Sequence, residues 1–120
     1  MSNVIKKNMS LLIVALLDDS YLDDIILGMT TVSGGQVTMV DAVSGTQNLS
    51  QAIPMFAEFV GMSGKRFCKM LVTCVSDPEP AKLLLDALDE GGLDFVDVGI
   101  GEIYSLPLAE AVVIEEVDFF

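Results

Sequence analysis

Residues 9–17 form an apolar run whose only polar member is Ser10. A run this short and this continuous predicts a strand buried on both faces. Asp18-Asp19-Ser20 then supplies N-cap chemistry for a helix. In that helix Leu22, Ile25, Ile26 and Met29 fall at i, i+3, i+4 and i+7, a single apolar stripe, and Ser33-Gly34-Gly35 stops it. Residues 37–43 are rich in β-branched side chains and predict a second strand. Residues 44–65 break the pattern: turn chemistry comes first, then an apolar piece around Pro54, Met55, Phe56, Phe59 and Val60 that suits a short helix, then the turn Met62-Ser63-Gly64-Lys65-Arg66. A third strand is expected over 67–75. Asp77 then caps a helix with Pro78 in its first position, striped by Ala81, Leu84, Leu85 and Leu88 and closed by Gly91-Gly92. Residues 95–100 and 103–106 read as a fourth strand interrupted by a glycine pair, and 111–117 as a short fifth strand.

The order is therefore β-α-β, an irregular connector, and β-α-β again. The fold class this predicts is α+β, a ferredoxin-like split βαβ sandwich (β-α-β-β-α-β) whose antiparallel sheet carries both helices on one face. The opposite sheet face then needs cover, and assembly with further copies is the simplest source. At 120 residues the chain is expected to form one domain, 1–120. Its 52% hydrophobic content excludes a disordered chain and strengthens the case for a surface covered by other subunits.

Charge removes another class. Eighteen acidic residues against six basic give a formal charge of −12, and no basic residue lies between 83 and 120. Nucleic-acid binding, which needs a cationic footprint, is not expected. Lys6 and Lys7 ahead of an apolar run imitate a secretion signal, but no small-x-small cleavage pattern follows, so the run is taken as the first strand. No segment reaches the length of a membrane-spanning helix. Cys68 and Cys74 lie six apart, neither a CxxC pair nor a zinc spacing, and fit two reduced cysteines sharing a strand face. A cytoplasmic location is the expectation.

Candidate chemistry is sparse. With no histidine in the chain, a Ser/His or Cys/His nucleophile pair cannot be built, so no catalytic residue is assigned. The carboxylates Asp18, Asp19, Asp23 and Asp24 suit the positive end of a helix, and Asp23 and Asp24, being adjacent, point in different directions; no metal site is assigned. Gly61 to Arg66 has the wrong glycine spacing for a P-loop, yet Lys65, Arg66 and Lys69 are the only basic cluster beyond the N-terminus and the best donors to an anion. Gly99-Ile100-Gly101 lets backbone approach either a phosphate or another chain closely.

Three pieces together resemble a known family. Tyr21-Leu22-Asp23-Asp24-Ile25, Thr38-Met39-Val40-Asp41 and the long segment Gly99-Ile100-Gly101-Glu102-Ile103-Tyr104-Ser105-Leu106-Pro107 with Leu108-Ala109-Glu110-Ala111-Val112 are similar, in order, to the first helix, second strand and B-loop of nitrogen-regulatory PII signal-transduction proteins. The resemblance spans about residues 9–114. It implies a non-catalytic homotrimer that binds small ligands between subunits and regulates a partner protein such as a transporter or metabolic enzyme. The usual ligand of the family is an adenine nucleotide, ATP or ADP. Carried over, Gly99, Ile100 and Gly101 would donate backbone N–H groups to phosphates, Thr38 would lie near base or ribose, and Lys69, Lys65 or Arg66 would supply positive charge. The sequence departs from the family where Glu102 replaces the B-loop lysine, where Gln47 stands for an arginine, and where Glu115 and Glu116 occupy the place of two arginines. Those departures leave two alternatives open: a trimeric structural or interaction protein without nucleotide binding, and a metal-responsive trimer of the CutA type, which shares the fold.

Overall fold

The computed structural model describes residues 3–43, 69–76 and 78–114. These residues form an α+β structure with two antiparallel sheets. The elements are β1 (Asn3–Lys6), β2 (Ser10–Leu16), a single 3-10 turn (Asp19–Tyr21), α1 (Leu22–Ser33), β3 (Thr38–Asp41), β4 (Lys69–Val75), α2 (Pro80–Glu90), α3 (Phe95–Val98), β5 (Gly101–Pro107) and β6 (Ala111–Ile114).

The main sheet has the order β3-β4-β2-β5, with every neighbouring pair antiparallel. β2 lies in the interior, and its register runs Leu12↔Thr73 and Val14↔Leu71 on one side, Leu12↔Ser105 and Val14↔Ile103 on the other. Two hydrogen bonds prolong the β2–β5 ladder beyond its ends: Leu17 N donates to Ile100 O at 2.7 Å, and Leu108 N to Met9 O at 2.8 Å.

The two faces of this sheet differ. Leu12, Val14, Leu16, Leu71 and Val75 share one face by register, and they form a continuous buried core with Ile25 and Met29 of α1 and Leu84 and Leu88 of α2. Leu93, Phe95 and Ile100 close the core at one end. Thr73, the one buried polar side chain among the described residues, sits in this layer and donates its hydroxyl to Gln36 O at 2.8 Å. That bond removes the cost of burying an unpaired hydroxyl. The second face carries Leu11, Ile13, Ala15, Met70, Val72, Cys74, Tyr104, Leu106 and Val40. Neither α1 nor α2 packs on it. Ala15 at its centre is buried, whereas Val40, Tyr104 and Leu106 toward its edges are about half exposed.

The helix boundaries follow local chemistry. The Asp18 carboxylate accepts from Ser20 N at 2.9 Å, and this bond and the Ser20 hydroxyl hold its carboxyl below the ordinary value. Gly34 ends α1 in the left-handed region, at φ 66°. α2 begins two residues later than the sequence predicts: Pro80, not Pro78, takes the first helical position, behind Glu79. Asp77, the expected cap, lies outside the described residues.

Two further expectations are corrected. Residues 95–98 are not strand but the single helical turn α3, capped by Asp94, whose carboxylate accepts from Asp97 N at 3.1 Å, and ended by Gly99 at φ 68°. The fourth strand therefore starts at the glycine pair rather than being interrupted by it. The fifth expected strand exists as β6 but pairs with β1, which hydrophobic patterning misses altogether; Asn3↔Ile114 and Lys6↔Ala111 bound the ribbon. The expected continuation of β6 through 117, the irregular connector 44–65 and Cys68 lie outside the described residues. Among the described residues, no helix is long and apolar enough to cross a membrane.

Candidate functional site

The register places Gly101 opposite Leu16, Leu16 opposite Lys69, and Lys69 opposite Asp41. These four residues make one row across the sheet at the end where β5 begins. Lys69 and Gly101 are two strands apart, about 10 Å at ordinary strand spacing. Long-range pairing thus brings together the Gly-x-Gly turn and the nearest described cation of the sequence cluster. Lys69 is not a free charge: its ammonium donates to the Asp41 carboxylate.

Each glycine of the turn has its own geometric reason. Gly99 holds the left-handed conformation that stops α3, and its N–H donates to Phe95 O at 3.1 Å. Gly101 is required by contact: a Cβ there would lie 2.3 Å from the Ala15 carbonyl oxygen. Between them Ile100 is buried in the core, and its carbonyl accepts from Leu17 N. The turn is therefore anchored on both sides, by a helical cap before it and a strand ladder after it.

Beside the turn lies a cavity of about 470 Å³, lined by Ala81, Leu85, Phe95, Val96, Gly99, Gly101, Glu102, Ile103 and Tyr104. Its walls are mainly apolar. Glu102 lines it as the acidic group, and the Tyr104 hydroxyl donates to the Glu102 carboxylate. The two side chains share a strand face because they are two residues apart. That spacing is legible in the sequence, and Tyr104 is a lining residue that the sequence reading leaves unassigned. Asp41 is likewise missed as the partner of Lys69, because only the β3–β4 register puts them side by side.

Thr38 does not join this group within one chain. It is exposed on β3, at the opposite edge of the sheet from β5, and pairs with Val72 three rows from the Lys69 row. Strand spacing and rise put it about 17 Å from Gly101. Gln47, Lys65 and Arg66 lie outside the described residues. Among the described residues, no group of three or more Asp, Glu or Cys side chains is arranged to hold a metal ion.

The arrangement can take a small molecule with an apolar body against Leu85, Phe95 and Ile103, and a polar group at the Tyr104–Glu102 pair. An anion placed there meets the Glu102 carboxylate and needs compensating cations. No protein-family model matches this chain, and no curated protein matches it in sequence.

Proposed function

We propose that this chain is a PII-like sensor: a ferredoxin-like domain that assembles as a homotrimer, binds a small ligand at clefts between subunits, and regulates a partner protein without catalysing a reaction. The observation that carries this reading is the apolar sheet face formed by Leu11, Ile13, Met70, Val72, Tyr104 and Leu106, on which neither α1 nor α2 packs. An apolar sheet face of this extent suits contact with further copies. The strand order β3-β4-β2-β5, with α1 leaving β2 and α2 leaving β4, supports the split βαβ plan.

The separation of Thr38 from the Gly99–Glu102 turn supports placing the ligand between subunits. Residues at opposite edges of one sheet can line one cleft only if two copies meet edge to edge or face to face. Binding would work by population shift, with the ligand favouring one of two arrangements of the assembly and so altering what a partner meets. The ligand class implied by the family resemblance is an adenine nucleotide. Lys69, with Lys65 and Arg66, would then supply the positive charge that Glu102 removes from the B-loop.

A second reading, a trimer that acts as a scaffold without nucleotide, draws on specific contacts. The Lys69 ammonium is already engaged by Asp41, the Gly99 N–H is already bonded to Phe95 O, and Glu102 lines the cavity. Isothermal titration with ATP, ADP, AMP and cyclic nucleotides, on protein whose mass has been measured by light scattering, separates the two. Saturable binding near one site per subunit, weakened by Lys69→Ala and strengthened by Glu102→Gln, is the expected result. An intact trimer that gives no heat with any nucleotide overturns nucleotide sensing and leaves the scaffold. A melting point raised by divalent cations and reversed by a chelator would favour the metal-responsive alternative instead.

A further inference from the structure

A second concave surface lies on the outer side of the helical layer, away from the turn. There α1 and α2 touch at Gly28. A Cβ at this position would lie 2.8 Å from Leu88 Cδ2 and 3.2 Å from Leu84 Cδ1, so glycine lets the two helices approach. Alongside this contact runs a groove of about 320 Å³, lined by Leu27, Gly28, Thr31, Ala87, Leu88 and Leu93, with Asp24 and Glu90 as its charged members. Leu27 is 68% exposed at the groove.

The charge distribution identifies the kind of partner. Both charged residues lining the groove are carboxylates. Asp89 and Glu90 occupy the last turn of α2, which has no basic residue, and so they sit at the negative end of that helix. Carboxylates in this position are disfavoured unless a cation offsets them. Asp86, one turn before Glu90, and Asp23, next to Asp24, are also exposed. α1 has no basic residue, and Lys82, the sole one of α2, is two turns from Glu90. A second copy of this chain, at −12, would meet like charge here.

We propose that this groove docks a basic amphipathic helix of a partner protein. Aliphatic side chains on one face of that helix pack on the exposed Leu27, and lysine or arginine residues flanking them pair with Asp24 and Glu90. A helix laid in a groove is a recurrent recognition mode, and the lining residues of α1, from Asp24 to Thr31, give a contact about two helical turns long. The inference is independent of the cleft at Gly99–Gly101 and of any ligand there.

The test uses the full-length protein and a fluorescent leucine–lysine peptide of about four helical turns, patterned as an amphipathic helix. A scrambled peptide of the same composition serves as control. Anisotropy is read at physiological salt for wild type, for Asp24→Lys/Glu90→Lys, for Leu27→Ser, and for Asp97→Lys/Glu110→Lys, which changes the net charge equally at positions that do not line the groove. The expected result is tighter binding of the patterned peptide than of the scrambled one. The groove charge reversal and Leu27→Ser should each weaken it about tenfold, and the remote reversal less than about twofold. Equal weakening by both reversals, or equal affinity for both peptides, would show attraction to net charge alone and overturns the proposal. Should the double reversal fail to fold by circular dichroism, Leu27→Ser alone decides, because it leaves every charge in place. A solution mass that falls when Asp24 and Glu90 are reversed, with no peptide present, would mean that a second copy occupies the groove, which also overturns it.

Discussion

Single residues carry the sharpest constraints in this chain. Gly101 and Gly99 stand two positions apart and are glycines for different reasons, which substitution can separate. A methyl group at Gly101 would run into the Ala15 carbonyl, a backbone atom that cannot rotate away, so the β2–β5 ladder must shift. Gly101→Ala is expected to cost about 2–3 kcal/mol in urea unfolding, in the range of core overpacking. At Gly99 nothing lies within 4 Å of an added Cβ, and only its φ of 68° resists alanine. Gly99→Ala should therefore cost only about 1 kcal/mol. Equal costs would refute the separate reasons given for the two glycines. At Asp18 the effect depends on pH. The Ser20 hydroxyl and Ser20 N–H hold its carboxyl below the ordinary value in the folded chain, so the unfolded chain takes up the proton more readily. The stabilisation is present above the unfolded value and disappears as pH falls through the lowered folded one. Thermal melts of wild type and Asp18→Ala should differ at neutral pH and converge in acid; a gap that persists in acid would show that the carboxylate is not the cause.

At the scale of elements, the pattern of the chain gives β2, α1, β3, β4, α2 and β6, misreads α3 as strand and misses β1. β2 is legible as a short continuous apolar run and α1 because its apolar positions repeat with the helix period, and Ile25 and Met29 of the expected stripe are buried. α3 defeats the same reasoning. Phe95-Val96-Asp97-Val98 joins an aromatic residue to two valines, which reads as strand. Its helical turn is imposed from its ends, by the Asp94 cap and the left-handed Gly99. Asp94→Ala should accordingly cost about 1 kcal/mol in urea unfolding. An unchanged midpoint would mean that burial of Phe95, not the cap, holds the turn. β1 is missed for another reason: its partner β6 lies more than a hundred residues away, and pairing of that kind leaves no local trace. The site shows the same division. Gly99–Glu102 is visible as a motif, whereas Asp41 beside Lys69 exists only through register. Thr38 and the turn, adjacent in the family's cleft by resemblance, stand at opposite edges of one sheet.

For the whole molecule, the subunit contact proposed on the apolar sheet face away from the helices and the net charge pull against each other. In the proposed assembly, covering what remains exposed of Val40, Tyr104, Leu106 and their neighbours would gain roughly 25 cal/mol for each Å² of apolar surface removed from water. Three copies at −12 each bring about −36 together, and that repulsion is long-ranged at low ionic strength. Association should therefore tighten as salt rises from about 10 mM to about 150 mM, as the screening length drops from about 30 Å to about 8 Å. Light scattering across a dilution series is expected to give three times the chain mass at physiological salt and a shift toward lower mass at low salt. Ile13→Glu, near the middle of the face, and Val40→Glu, which is already 52% exposed toward its edge, test whether this face is the contact. Neither side chain belongs to the helix-covered core. Both variants should keep the far-ultraviolet circular dichroism of wild type, and Ile13→Glu should give the mass of a single chain. A trimer that survives Ile13→Glu unchanged would move the subunit contact elsewhere, and with it the reason for placing Thr38 and the Gly99–Glu102 turn in one cleft.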